Sequence, residues 1–266
     1  MKVSVIISTY NRPHYLERTI EGYLHQTCPP DEMIIADDGS AEATALRVGE
    51  LAAVSSVPMR HVWHEDNGFR AAAIRNKAVS SSIGEYLIFC DDDSIPSRSL
   101  VADHLQYAER GSFIQGHRVL LGEQISQDFR QKDGTYKAFL LLALQGRAGN
   151  VMNAFRLPVP LIRLSSSMRG IRSCNMSIFR EDFLAVNGFN EDFVGWGKED
   201  SELAVRLYKN GLRRKDLKFR ACCYHLYHRQ YSRENLEKNI QRLQASVNAP
   251  AFCANGVDKY LKTPKG

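Results

Sequence analysis

Three consecutive carboxylates, Asp91-Asp92-Asp93, are the first residues in this chain whose types and spacing suggest chemistry. Adjacent carboxylates repel one another, so such a cluster is costly unless water or a cation neutralises it. On an extended backbone alternate residues share a side, which places Asp91 and Asp93 on one face, and hard oxygen donors suit Mg²⁺ or Mn²⁺. The plainer use of the same residues is an exposed acidic turn leading into a helix near Ser97. A second acidic pair, Glu199-Asp200, follows Gly195-Trp196-Gly197-Lys198. Carboxylates are favoured in a first helical turn on electrostatic grounds alone. Beside a Trp held between two glycines, Asp200 could also deprotonate a hydroxyl while the indole stacks on a sugar face.

Weaker signals surround these two. Asp37-Asp38-Gly39-Ser40 reads as a turn, or as carboxylates that accept from a base N–H or a ribose hydroxyl. Arg75 and Asn76 fall on a helix after Asp66-Asn67-Gly68, where Arg75 can reach a diphosphate or pair with a strand-end aspartate. His225 and His228 follow an expected strand, and a neutral imidazole there could complete a metal shell begun by Asp93. Histidines at this spacing are also common on ordinary surfaces.

The elements that must position these groups are legible in the first 95 or so residues. Residues 2–8 form a near-continuous β-branched run, typical of a strand buried on both faces. Asn11 and Pro13 suit a helix start, with Leu16, Ile20 and Leu24 at helical spacing. Further strands are expected at residues 33–36, 60–64 and 85–90, with helical stretches between them. That alternation predicts a parallel sheet with right-handed crossovers. Each polar cluster, Thr9-Tyr10-Asn11, Asp37-Asp38, Asp66-Asn67 and Asp91-Asp92-Asp93, follows the C-terminal end of an expected strand. Ligands bind at that edge of open α/β sheets, so the clusters should converge on one crevice.

Beyond residue 110 the alternation weakens. Strands are expected at 113–121, 174–180 and 218–224 and a helix at 198–209. Residues 122–170 read as a variable segment over the crevice. A terminal helix is expected over 232–245, with Ser232 as its cap.

The 266 residues carry a net charge of +5, distributed unevenly. Residues 1–110 hold 10 Lys/Arg against 16 Asp/Glu, whereas residues 111–266 hold 25 against 14. The acidic half could hold a cation, and the basic half could meet a diphosphate, an anionic acceptor or a membrane surface. Six cysteines show neither CxxC spacing nor zinc-like pairing, which reads as a reducing cytoplasm. The longest apolar run, residues 138–144, is far below the roughly 20 residues a bilayer-spanning helix needs. No signal peptide is expected at the N-terminus, and nothing suggests a nucleic-acid partner.

Taken together, VSVIISTYNRP, IIADDGS, HEDNGFRAAAIRNKA and YLIFCDDDSIP resemble, in order and spacing, the donor-binding signatures of GT-A glycosyltransferases of family 2. NMSIFREDFLAVNGFNEDFVGWGKEDSELAVRL and YHLYH are similar to the C-terminal part of β-1,4-galactosyltransferases and chondroitin-polymerase-type enzymes. The resemblance covers about two thirds of the chain and leaves out residues 122–170. It implies an α/β GT-A fold, a mainly parallel sheet flanked by helices, with a donor-binding half at 1–110 and an acceptor and catalytic-base half at 111–266. By this resemblance Thr9, Tyr10, Asn11, Asp37 and Asp38 frame the nucleotide, and Arg75 and Asn76 face the diphosphate. Asp91 and Asp92 lie near the ribose, and Asp93, Asp91 and His225, with His228 as fallback, hold Mn²⁺ or Mg²⁺. Trp196, Glu199 and Asn175 meet the acceptor, and Asp200, beside Glu199, is the catalytic base. Lys198 departs from the pattern, standing where a Gly or other small residue is common.

The implied function is inverting transfer of a hexose or N-acetylhexosamine from a nucleoside-diphosphate sugar, such as a UDP-sugar, to a glycan or lipid-linked saccharide. A sugar nucleotidyltransferase is the nearest competitor on this sheet plan, but residues 9–15 lack the Gly-rich phosphate loop such enzymes carry. A non-catalytic nucleotide-sugar-binding module would leave Glu199-Asp200 without a role. The expected location is the cytoplasm, at or near the inner membrane face.

Overall fold

The computed structural model describes residues 1–229 and 231–261. Its first half follows the sequence pattern: β1 (Val3–Thr9), α1 (Pro13–Leu24), β2 (Glu32–Asp37), α2 (Glu42–Val54), β3 (Met59–Trp63), α3 (Ala71–Ser80) and β4 (Tyr86–Asp91). β1 pairs in parallel with both β2 and β4, and β2 with β3. Alternate side chains of these strands enter two different cores. Ile6, Ile34, Leu87 and Phe89 pack against Ala72, Ile74 and Ala78 of α3 on one face. Val5, Ile7, Ile35 and Ile88 pack against Leu16 and Ile20 of α1 on the other. Burial on both faces is why these strands read as continuous apolar runs, each buried Ile or Leu contributing ~1.5–3 kcal/mol.

The second half adds β5 (Ser94–Pro96), α4 (Leu100–Gln106), β6 (Ser112–Gln115), β7 (His117–Leu121), α5 (Glu123–Ser126) and α6 (Tyr136–Leu144). These are followed by β8 (Ala148–Gly149), β9 (Leu161–Ser165), β10 (Asn175–Phe179), α7 (Arg180–Ala185), α8 (Glu199–Lys209), β11 (Arg213–Lys218), β12 (Cys222–His225) and α9 (Leu236–Ser246). The main sheet has eight strands in the order β3-β2-β1-β4-β10-β6-β11-β9, and a second sheet has the order β5-β12-β7-β8. The main sheet is mainly parallel, as expected, with two exceptions that make it mixed: β10 runs antiparallel between β4 and β6, and β9 runs antiparallel beside β11. The C-terminal ends of β1, β2, β4, β6 and β11 still share one rim. Among the described residues no helix is long and apolar enough to cross a membrane.

Two expected strands break where they change sheets. Residues 113–121 divide at Gly116, where a Cβ would lie 2.5 Å from both the Ala221 carbonyl oxygen and the Asn175 amide. Residues 218–224 divide where Phe219 and Ala221 take φ of 68° and 47°. The parallel pair β6–β11 in the large sheet therefore continues as the parallel pair β7–β12 in the small one.

Asn175 fastens that double crossing. Its Nδ2 donates to the carbonyls of His117 (2.9 Å) and Ala221 (2.8 Å), and its Oδ1 lies 2.9 Å from His104 Nε2. Only 3% exposed and fully engaged, it has no atom left for an acceptor, so the expected acceptor role is replaced by a structural one.

Smaller corrections concern boundaries. α9 begins at Leu236 and Ser232 does not cap it; α4 begins at Leu100; Arg12, not Asn11, precedes the first turn of α1. Residues 122–170 line none of the crevice described below. They pack largely on the small sheet, where Phe129 and Phe139 close on Tyr224 at 5.4 and 5.0 Å.

Candidate active site

The strand ends on the shared rim border a crevice of about 560 Å³ that Asp38, Asp91, Asp92, Asp93, Glu199 and Asp200 all line. The strand-end groups Thr9, Tyr10, Asp38 and Asp91–Asp93 thereby meet at one cavity, as their placement predicts, whereas Asp66 and Asn67, expected there too, do not line it. Glu199 and Asp200 reach it from the first turn of α8.

The β1–β2 end of the crevice presents Thr9, Tyr10 and Asp38. Asp38, at the end of β2, lies 2.7 Å from His64 Nε2 and accepts the Arg70 N–H at 2.7 Å. The Thr9 hydroxyl donates to Asp92 (2.7 Å) and the Tyr10 hydroxyl to Asp66 (2.8 Å). Two residues expected here turn inward. Asp37 is fully buried, accepting the Ser40 N–H and meeting His61, so it shapes the turn after β2 instead of facing a ligand. Asn11, at φ 51°, accepts from the Ala41 N–H, which ties the β1 loop to the start of α2.

Arg75 joins the two acidic motifs. Its Nη2 donates to Asp91 Oδ1 at 2.8 Å, its Nη1 to Glu199 Oε1 at 3.3 Å, and its Nε to Ser8 Oγ at 2.9 Å. Burial works against its charge, but Asp91 and Glu199 outweigh burial and raise its pKa. Of the two uses foreseen for Arg75, the structure displays the ion pair. Its neighbour Asn76 does not face the crevice. It is fully buried, donating to Phe189 O (2.8 Å) and Glu191 (2.9 Å) and accepting the Phe189 N–H (2.9 Å). Asn76 thus clamps the loop that leads to Trp196, and the expected diphosphate contact is corrected to that supporting one.

Asp200 sits in the first turn of α8 and accepts the Ser201 N–H at 2.6 Å. It keeps some accessible surface toward the crevice, yet protein atoms crowd it. Burial, and then the charge of Glu199, push its pKa up to about 7, against the opposing pull of Ser201 and Arg75. A carboxyl poised there can exchange a proton near neutral pH. Glu199 uses Oε1 for Arg75, while its Oε2 is buried with no partner among the described residues. Trp196 is 37% exposed at the mouth, with the Arg233 guanidinium 5.4 Å over its ring. Lys198, the departure from the family pattern, has φ 81°, a left-handed conformation that favours glycine.

The small sheet builds the third cluster. β5 starts directly after Asp93 and β12 ends at His225, and the two strands pair antiparallel with His225 opposite Ser94. Asp93, His225 and His228 each bring a ligand atom to within 4.8 Å of the others. Asp93 Oδ1 lies 3.7 Å from His225 Nε2, and Asp93 Oδ2 lies 3.3 Å from His228 Nε2. Burial lowers the His225 pKa, which favours the neutral, ligating imidazole. One carboxylate with two imidazoles fits a divalent cation, and the nitrogen donors favour Mn²⁺ over Mg²⁺. Both histidines belong to the cluster, not one or the other; Asp91, held by Arg75, stands outside it.

Sequence reasoning missed Arg12 and Tyr231. Arg12 Nη1 lies 3.1 Å from Asp93 Oδ2 and 3.7 Å from Asp92 Oδ1, and its guanidinium sits 5.1 Å from the Tyr231 ring. Arg12 stands within the quoted STYNRP stretch, so a cation facing the acidic triplet was available to find. Nothing in the sequence pairs Tyr231 with the first loop.

The glycosyl transferase family 2 model matches residues 4–173, and a model described as the N-terminal domain of galactosyltransferase matches residues 154–229. The chain is 30% identical over 228 residues to validoxylamine A glucosyltransferase of Streptomyces hygroscopicus subsp. limoneus, covering 79% of this chain and 48% of that protein. It is 30% identical over 230 residues to hyaluronan synthase of Pasteurella multocida, covering 79% and 23%. The chain therefore spans about half the length, or less, of these curated relatives. Among solved structures, S. aureus TarS 1-349 in complex with UDP-GlcNAc has a TM-score of 0.67 at 16% identity, covering 98% of this chain and 70% of that one. Mannosyltransferase PcManGT from Pyrobaculum calidifontis, in complex with GDP-Man and Mn²⁺, has a TM-score of 0.59 at 20% identity, covering 86% and 58%. The structural likenesses speak to the fold, and the sequence match to descent: the chain belongs to glycosyl transferase family 2 and has the GT-A type of α/β fold.

Proposed function

We propose that this chain transfers a hexose or N-acetylhexosamine from a nucleoside-diphosphate sugar, preferably UDP-linked, to a hydroxyl of a glycan or lipid-linked saccharide, with inversion. The observation that carries this reading is the position of Asp200. A carboxyl with a pKa near 7 lines the same crevice as Asp38 and the Asp93–His225–His228 cluster.

In this reading Thr9, Tyr10 and Asp38 bind the nucleoside, and Arg12 lies where it can face the diphosphate. Arg75 fixes Asp91 and Glu199 relative to each other, which preserves the spacing between donor and acceptor sites. Asp93, His225 and His228 would hold a divalent cation, which supplies positive charge to the departing diphosphate. The acceptor hydroxyl attacks the anomeric carbon, its proton passes to the Asp200 carboxylate, and the bond to the diphosphate oxygen breaks. Glu199 Oε2, unpartnered and close by, is available to accept from a second acceptor hydroxyl, and Trp196 offers a flat apolar surface for its ring. The relatives' names, a glucosyltransferase and a hyaluronan synthase, fit a hexose-type donor.

The test is a screen of UDP-, GDP- and dTDP-sugars for metal-dependent thermal stabilisation, followed by measurement of the nucleotide released. UDP released only with Mn²⁺ or Mg²⁺ is expected. Released pyrophosphate, or tight sugar-nucleotide binding with no turnover on any glycan pool, refutes the transferase reading.

A further inference from the structure

We propose that a second cavity on the same rim binds an anionic group of the acceptor, a phosphate or a carboxylate carried near the reacting hydroxyl. The proposal rests on reading the crevice as a transferase site. The cavity, about 480 Å³, adjoins the crevice, and Arg172 lines both. Among the described residues, Arg163 of β9, Arg169, Arg172, Arg214 and Lys218 supply five cations to its walls, and Asp216 is the one carboxylate there. Asp216 is already engaged by Arg214 at 3.0 Å. Among the described residues, Arg163, Arg169, Arg172 and Lys218 form no ion pair. Four uncompensated positive charges around one concavity repel each other, and an entering anion relieves that repulsion.

The cavity is also built from within. Arg214 is only 6% exposed and fixed in place, with Nη1 donating to the carbonyls of Ser167 and Arg169, both at 2.9 Å. Among the described residues its Nε is buried without a partner, as is Nε2 of His117 on the same wall. Unmatched buried polar atoms beside a cavity of this charge are groups that a ligand oxygen would satisfy.

Strand order says which ligand. Thr9 and Asp38 stand over β1 and β2, whereas the basic cavity stands over β6, β11 and β9 at the other end of the sheet. Asp91, Asp93 and Asp200 lie in the crevice between. A nucleotide seated over β1 and β2 leaves the far end to the acceptor, so the basic cavity reads the acceptor's charge.

The probes are methyl phosphate and D-glucuronate, titrated calorimetrically at low salt into UDP-saturated protein. Wild-type protein is expected to bind at least one of them, with affinity falling as salt rises. The Arg163→Ser/Arg169→Ser variant should weaken that binding about tenfold, and Lys218→Glu should do likewise; both changes are at exposed positions. Preference for methyl phosphate identifies a phosphate-bearing acceptor, and preference for glucuronate a uronic acid. Failure of wild-type protein to bind either probe, or affinities unchanged in both variants, overturns the proposal. Should none of UDP, GDP and dTDP bind in the presence of Mn²⁺, the transferase reading falls, while the anion titration is still read on the bare protein.

Discussion

Replacing Asp200 with asparagine separates catalysis from stability in opposite directions. Its pKa rises from the ordinary aspartate value of 3.8 to about 7, chiefly through burial and then through the charge of Glu199. A carboxyl whose folded pKa exceeds its unfolded one holds its proton more tightly in the fold. The folded state is therefore penalised as pH climbs from about 4 to 7, and the penalty is complete above that window. Three units at ~1.4 kcal/mol each set a ceiling of ~4 kcal/mol. The open side of the crevice solvates part of the charge, which leaves ~1–2 kcal/mol. Asp200→Asn, unable to ionise, should thus be more stable than wild type at pH 8 by that amount and little different at pH 4. Nucleotide release by the same variant should fall about 10²–10⁴-fold. Wild-type activity should drop tenfold per unit below about pH 7, a limb the variant lacks. Thermal denaturation at both pH values and a pH–rate profile read all of this. A variant that turns over normally, or that gains no stability at pH 8, refutes the assignment of Asp200 as base and the account of its environment.

Other expectations follow from single residues. Lys198→Gly relieves a left-handed backbone, and after the added freedom of the unfolded chain is discounted should stabilise by ~0.5–1 kcal/mol, raising the melting midpoint by about 2 °C. His225→Ala and His228→Ala should each weaken Mn²⁺ binding at least 10–100-fold by calorimetry; an unaffected His228→Ala would remove it from the cluster. Asn76→Ala should cost about 2–4 kcal/mol in chemical denaturation while leaving UDP affinity intact, because its amide supports a loop and touches no ligand. Arg75→Met should cost ~3–5 kcal/mol, since it strands Asp91 and Glu199 together without a counter-charge.

The first half was legible because a strand buried on both faces must be apolar along its whole length, as at Ile6 and Ile7. Its polar ends then stand out, and parallel pairing converts them into one rim. In the second half the same logic failed for identifiable reasons. β11 contains Arg214 and Lys215, both buried, so its polar sequence hid a strand of the main sheet. β6 runs into β7, so residues 113–121 looked like one strand crossing a single sheet, and of β11 only Lys218 fell inside the strand expected at 218–224. The signal for the breaks was Gly116, which was visible, and the left-handed Phe219 and Ala221, which were not.

Within the motifs the side chains divide: Thr9, Asp38, Asp93, Trp196 and Asp200 face the crevice, and Asp37 and Asn76 turn away from it. Asn76 and Asn175 sit beside the crevice-lining Arg75 and Cys174 in sequence, yet their amides are spent on backbone carbonyls of distant segments, a pairing that no local pattern encodes. The placement of Asp38, Asp91 and Asp93 around one cavity follows the strand-end argument, whereas Asp200 reaches it from a helix turn; the bridging by Arg75 was foreseen only toward one partner.

That bridge also bears on how the crevice can move. Arg75 ties the tip of a strand from the N-terminal portion to the opening turn of a helix from the C-terminal portion. Prying the two apart would expose a guanidinium and two carboxylates to one another's absence, a heavy toll for a hinge. Breathing of the molecule should then be confined to its outer loops, near Trp196 and Tyr231, while the floor keeps a constant width from one turnover to the next.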